Sequence, residues 1–459
     1  MSAARDVQTI ERLKATYEKS AYFVGHDEDG EASIKEDLTL TVIIPARNEF
    51  PNIVHTVHSI LNCWDADGFD PKDIEIIIVN NCSTDYNDPK YDYSKPGDRG
   101  TTEHLMPRGI YHDRTVRVLY DPIAGNHSAR NKGARIARGK YLFFSDAHMS
   151  YAPGTFKYGI AACAESGGIV HTAVAWMGGH APGLYKVPGI AQNSIMTQYT
   201  IKLGEEWKGT WANYRPWSDK WFYISSQGHC SLFVNRKQFL DFGGYPDIHR
   251  TYGGGEFFTD TLWWMYGSCV VVEPRCIAYH LASSRGYNYH HDDYIHNIFN
   301  CSWALGCDDW LERTYLNYLR TGREEVLDKM MAEARLEMAS RRQEIERRRV
   351  CTFNDLLVSK PWDKLNLERG GAKNSSMLIY HWTWMELFEN NPRVKGKYEE
   401  SQIQKDLDTF ITTKLRQHIY IPDRKIDEYI AKGYLQPGER VQKRKKPPQE
   451  AAETGVTEK

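Results

Sequence analysis

The sequence has no long apolar run. The longest, such as Ile74 to Val79 and Cys269 to Val272, fall far below the roughly 18 residues a membrane-spanning helix needs, so no integral membrane span is expected. Met1 to Ser20 alternates charged and small residues without an apolar core, which argues against a cleaved secretory signal. An excess of one charge is also missing. Lysine plus arginine number 58 against 60 acids, a formal net charge of -2, so any attraction to nucleic acid or an anionic surface must be local. The nine cysteines, scattered from Cys63 to Cys351, show no CxxC pair and no regular spacing. That excludes a disulfide framework and a zinc cluster, and fits reduced, mostly buried thiols in a cytoplasmic protein.

What the sequence does contain is 459 residues, 41% hydrophobic and 26% charged, the balance of a large globular domain with an appendage. Residues 1–38 are polar and form an N-terminal extension, with a short helix expected around Val7 to Lys19. From Leu40 the pattern runs apolar strand, turn, amphipathic helix, strand: Leu40 to Pro45, Asn52 to Cys63, Ile74 to Val79. Further units follow at Val116 to Tyr120, Ser128 to Ala137 and Tyr141 to Ser145. This rhythm predicts an α/β fold with a mostly parallel sheet and flanking helices, whose ligand would sit at the carboxyl ends of the strands. Tyr86 to Arg114 exceeds ordinary loop length and reads as a surface excursion. Gly178 to Gln227, with Trp207, Trp211, Tyr214, Trp217, Trp221 and Tyr223, reads either as a loop packed by its own aromatics or as an acceptor-recognition surface. After residue 305 the pattern turns helical through 436, most clearly over Glu324 to Arg349. Residues 437–459 carry Arg440, Lys443, Arg444, Lys445 and Lys446 and read as a disordered basic tail.

Polar residues collect where strands end. The first strand delivers Pro45, Ala46, Arg47 and Glu49, which could meet a nucleotide base or phosphate. The second delivers Asn81 and Asp85, suited to a base edge or a ribose hydroxyl, or to capping the next segment. The strongest signal is Phe144-Ser145-Asp146-Ala147-His148. In an extended segment side chains two apart point the same way, so Asp146 and His148 could share one divalent cation. Arg130, on the helix before this strand, could face a diphosphate or simply lie on a solvated face. A second metal at His290, His291, Asp292, Asp293 and His296 lacks a tetrahedral set, and a flexible histidine-rich loop is the simpler reading.

Taken in order, the segments Val42 to Glu49, Val79 to Asp85, Ala129 to Gly133 and Phe144 to Gly154 resemble the strand, acidic, "ARNxG" and metal motifs of GT-A fold glycosyltransferases of family 2. The resemblance covers residues 40–285 and implies a glycosyltransferase domain over 39–304. Asn80 and Asn81 stand where that family carries an acidic pair. The Asp-x-His form, followed by Gly254-Gly255-Glu256 and His280, is similar to polypeptide N-acetylgalactosaminyltransferases. It implies a metal set of Asp146, His148 and His280 holding Mn2+ or Mg2+ on a nucleotide-sugar donor, with Mn2+ favoured by two nitrogen ligands. By the same resemblance Gly228 and His229 would touch the donor sugar, and Arg130 and Arg285 would supplement the metal at the diphosphate. Glu256 and Asp260, one helical turn apart, are the candidates for the base that an inverting transfer requires.

The expected reaction is therefore transfer from a nucleotide sugar, UDP-linked by the resemblance, to a hydroxyl of a soluble acceptor. DNA is an alternative acceptor, through a hydroxymethylated base. It draws on Arg341, Arg342, Arg347, Arg348 and Arg349, the basic tail and the aromatic 207–223 segment. Glutamates interleaved with those arginines, Glu333, Glu337, Glu344 and Glu346, favour a solvated helix instead. A non-catalytic nucleotide-sugar or glycan-binding protein is the third reading. Oligomeric state is not readable.

Overall fold

The computed structural model describes residues 37–49, 52–83, 109–111, 114–122, 124–177, 197–203, 209–213, 220–246, 250–281, 289–308 and 323–371, with 311, 314, 315 and 318 between the last two. Asp85, Arg285, the stretches 1–36 and 372–459, and Trp207, Tyr214 and Trp217 lie outside the described residues.

The first strand, β1 (Leu38–Ala46), is apolar without alternation, and Leu40, Val42, Ile43 and Ile44 are fully buried. Such a strand is covered on both faces, as in a parallel sheet between helices. Helix α1 (Asn52–Ala66) repeats Ile53, Val57, Ile60 and Trp64 at helical spacing and buries that face, leaving His55 outside. Next come β2 (Ile74–Asn81), β3 (Gly109–Tyr111), β4 (Arg114–Asp121), α2 (Asn126–Ile136), β5 (Gly139–Ser145) and β6 (Met149–Tyr151). Then follow α3 (Thr155–Ser166), β7 (Ile169–Met177), β8 (Thr197–Leu203), β9 (Gly209–Asn213), β10 (Phe222–Tyr223), β11 (Ser231–Asn235) and α4 (Arg236–Asp241). Helix α5 (Gly255–Met265), strand β12 (Val270–Leu281) and helix α6 (His291–Ala304) complete the sheet region. The strand order is β10-β12-β7-β11-β5-β1-β2-β4-β3. The run β4-β2-β1-β5 is parallel, β11 runs antiparallel between β5 and β7, and β6 pairs antiparallel with β12.

Several segments differ from their sequence reading. The long excursion before Arg114 contains β3, antiparallel to β4. The aromatic stretch after Gly178 contains an antiparallel pair, β8 with β9. The histidine-rich segment is the first turn of α6, with His290 at its N-cap, because Asp292 and Asp293 favour a helix start. The helix expected over Glu324 to Arg349 is divided at Met338 into α7 (Glu324–Glu337) and α8 (Ala339–Arg348).

Beyond 305, the helices are not a detached appendage. Asn366 on α9 (Pro361–Glu368) accepts from Tyr223 N–H at 2.9 Å and donates to Tyr223 O at 2.8 Å. One side chain thereby occupies both ladder groups of a residue on the edge strand β10, an edge that would otherwise be open to another chain. Beside it Trp362 is buried, its ring 5.8 Å from Trp264 of α5. All nine cysteines are free thiols, seven of them buried. Among the described residues no helix is long and apolar enough to cross a membrane.

Candidate active site

Asp146 and His148 lie in the turn between β5 and β6, not in an extended segment. Three anchors shape that turn. Asp146 N–H donates to Cys230 O at 2.8 Å, and the Thr56 hydroxyl of α1 lies 2.9 Å from Ala147 O and accepts Met149 N–H at 2.9 Å. Pairing of β6 with β12 puts His280 opposite Met149, next to His148. The ligand atoms of Asp146, His148 and His280 all lie within 4.8 Å of one another. Asp146 Oδ2 is 3.5 Å from His280 Nε2, and the two imidazoles stand edge to face with centroids 4.8 Å apart. The three side chains remain 24%, 18% and 14% exposed, so the cluster opens to solvent.

Two neighbours hold this cluster in place. Glu49 Oε2 lies 3.0 Å from His148 Nδ1, which directs the other ring nitrogen away from Glu49. A carboxylate behind a ligating imidazole fixes its tautomer and raises its basicity. Arg130 is 1% exposed, and its Nη2 donates at 2.8 Å to both Asp146 Oδ1 and His229 O. Neither the expected diphosphate contact nor a solvated helix face describes it, because the guanidinium is sealed beneath Asp146. Burial alone would raise the Asp146 carboxyl. The His280 hydrogen bond and the Arg130 charge outweigh that and hold it well below the usual carboxylate range.

Asp260 and His229 also sit differently from expectation. Asp260 is completely buried on α5 and its oxygens are filled. Oδ1 lies 3.2 Å from His171 Nε2 and 3.0 Å from His229 Nε2, while Oδ2 accepts from the Ser226 hydroxyl at 2.8 Å and Gln227 N–H at 2.9 Å. His229 Nδ1 meets the Tyr245 hydroxyl at 2.8 Å. With no exposed surface and four donors already satisfied, Asp260 cannot reach an acceptor hydroxyl, and the His229 ring cannot reach a sugar. The three groups form a structural network under the 225–230 segment. Burial, outweighing the pull of Asp260, lowers His229 to about 4, so its ring is neutral. Gly228 is buried in the same segment.

Glu256 takes the more accessible place, in the first turn of α5, partly exposed. The glycines before it are there for backbone reasons. Gly253 and Gly254 adopt φ of 115° and 79°, and a Cβ on Gly255 would fall 2.2 Å from His127 Nε2. At the end of β2, Asn81 is turned inward, its Oδ1 accepting Gly125 N–H at 2.9 Å, so it braces the start of α2 and does not present a base-reading edge. Pro45 and Arg47 are partly exposed at the end of β1, while the Ala46 side chain is buried. Sequence reading missed Thr56, His171 and Tyr245. Nothing local marks them, since the contacts that give them their place run to partners distant in sequence.

Residues 41–177, which hold Glu49, Arg130, Asp146 and His148, match the sequence profile of glycosyl transferase family 2. The match covers the strands and helices that carry Asp146 and His148 and stops at the end of β7. Among solved structures, the chain is similar to GalNAc-T7 with UDP, GalNAc and Mn2+, at TM-score 0.47 and 15% identity over 66% of this chain and 55% of that one. It is also similar to S. aureus TarS 1-349, at TM-score 0.37 and 14% identity over 72% and 87% of the two chains. The mannosyltransferase PcManGT from Pyrobaculum calidifontis with GDP-Man and Mn2+ gives TM-score 0.35 and 17% identity over 77% and 86%. The chain spans about half the length of GalNAc-T7. No protein of curated function matches it in sequence.

Proposed function

We propose that this glycosyltransferase moves a sugar from a nucleoside diphosphate donor, UDP-linked, to a hydroxyl of a soluble acceptor, using Mn2+ or Mg2+ held by Asp146, His148 and His280. The observation that carries the reading is that cluster itself: one carboxylate and two imidazoles converging in a solvent-facing turn at the carboxyl end of β5. The donor set fits a divalent cation, and its two nitrogens favour Mn2+ over Mg2+. When bound, the cation neutralises the charge that develops on the departing diphosphate.

The chain's own groups do the rest. Glu49 orients His148, and Arg130 fixes Asp146 from beneath, so the ligands are set before donor arrives. Pro45 and Arg47 at the end of β1 flank the donor. Glu256 accepts the proton of the acceptor hydroxyl as its oxygen bonds to the sugar C1 and the C1–O bond to the diphosphate breaks, the electron pair leaving with the nucleotide. Glu256 sits in the first turn of α5, at the helix end that favours negative charge.

DNA as acceptor loses support. Arg341, Arg342 and Arg348 are engaged by Glu344, Asp308, Glu346 and Asp241, which leaves these guanidinia committed within the protein. The test is a panel of nucleotide sugars with Mn2+, following nucleotide release by the wild type and by Asp146→Ala. Release from one donor that the substitution abolishes supports the transferase. Tight donor binding with no release from any donor favours the non-catalytic binding protein.

A further inference from the structure

Next to Glu256, three tyrosines and a histidine gather on one surface. Tyr252 lies 5.1 Å from Tyr289 and is stacked on Tyr294 at 6.0 Å, and His291 is stacked on Tyr294 at 6.0 Å with 9° between the planes. Tyr289 is 37% exposed, His291 is exposed, and Tyr252 and Tyr294 are partly exposed. The platform is built to hold its shape. Asn297 of α6 donates to Tyr252 O at 2.8 Å, and a Cβ on Gly253 would meet the Tyr294 ring at 2.6 Å, so glycine lets backbone and ring close up. Gly253 lies three residues before Glu256. The phenol of Tyr294 is raised, first by burial and then by neighbours that include Glu256.

We infer that the Tyr252–Tyr289–Tyr294 platform, edged by His291, is the acceptor subsite, and that it receives a pyranose ring of a saccharide acceptor. This rests on the transferase reading above and names the class of its acceptor. Aromatic faces pack against the C–H face of a pyranose and equally against a nucleobase. The surrounding charge separates the two. Among the described residues, Asp292, Asp293 and Glu333 beside the platform are paired with Arg323, Arg250 and Lys329, and Glu337 faces His296. Each of these cations is already paired with a carboxylate, whereas binding a phosphate backbone needs clustered cations.

The test uses the full chain and saturation-transfer NMR with a panel of methyl pyranosides and neutral disaccharides, and with a single-stranded thymidine oligonucleotide. The expected result is saturation of the ring C–H protons of at least one saccharide. Affinity for it should be roughly 5-fold to 10-fold weaker in Tyr289→Ala and in Tyr252→Ala, and retained in Tyr289→Phe, which keeps the ring. Binding to no saccharide, or binding indifferent to both alanine substitutions, overturns the inference. Tyrosine-dependent binding of the oligonucleotide alone overturns it in favour of nucleic acid. Mn2+-dependent nucleotide release by the unaltered protein reads the transferase separately: saccharide binding without release sinks the transferase and keeps the platform, and release without saccharide binding does the reverse.

Discussion

Arg130→Met removes one guanidinium and leaves a side chain of similar length, and its cost can be worked from two contacts. The carbonyl of His229 loses its 2.8 Å donor inside the protein, and an unsatisfied buried carbonyl costs about 1–3 kcal/mol. Asp146 loses a charged partner at 2.8 Å. Breaking a fully buried pair costs about 3–5 kcal/mol, but Asp146 keeps 24% of its side chain exposed and water recovers much of that. The sum is of order 3 kcal/mol, a fall in Tm of roughly 6–12 °C for a domain of this size. Urea unfolding of wild type, Arg130→Met, Asp146→Asn and the double variant gives the coupling directly, expected at about 1–3 kcal/mol. Additive effects, or an Arg130→Met protein as stable as wild type, would refute the claim that Arg130 is the buried support of Asp146.

Three further outcomes are expected. Glu49→Gln should weaken Mn2+ binding about 10-fold to 100-fold by titration calorimetry, because a supporting carboxylate behind a ligating imidazole is worth that much; unchanged affinity would show that Glu49 does not act through His148. Since burial lowers His229 to about 4, the unfolded chain takes up its proton first as pH falls, so stability should decline between about pH 6.5 and pH 4. His229→Gln should flatten that limb in urea unfolding at stepped pH, and an equally steep limb would mean that other groups set it. Glu256→Gln should lower acceptor-dependent turnover at least 100-fold with the fold intact, the usual scale for removing a general base; turnover within a few-fold of wild type would point to a mechanism without that base.

The sheet was legible because its inner strands are covered on both faces. Val42-Ile43-Ile44 and Ile76-Ile77-Ile78-Val79 carry no alternation, which in chain order with amphipathic helices means a parallel sheet. The short strands β3, β8 and β9 left no such trace, because edge and hairpin strands do not need continuous apolar character. Asp146, His148 and His280 do meet, although the turn between β5 and β6, and not strand alternation, aims the first two. What sequence could not show is where a polar residue is satisfied. Arg130, Asn81, Asp260 and His229 are polar residues near strand ends, which reads as ligand-facing. Each is turned inward to a partner 16 to 99 residues away, at Asp146 and His229, Gly125, Ser226 or Asp260.

The metal centre itself is tested most directly by Mn2+ titration of the full chain, followed by calorimetry and by the loss of the free-ion paramagnetic resonance signal. One Mn2+ site is predicted in the wild type, strongly weakened in Asp146→Ala and in His280→Ala and kept in Asp260→Asn, provided that variant folds. No Mn2+ binding by the folded wild type, or binding that survives both ligand substitutions, would contradict the assignment of Asp146, His148 and His280 as its ligands.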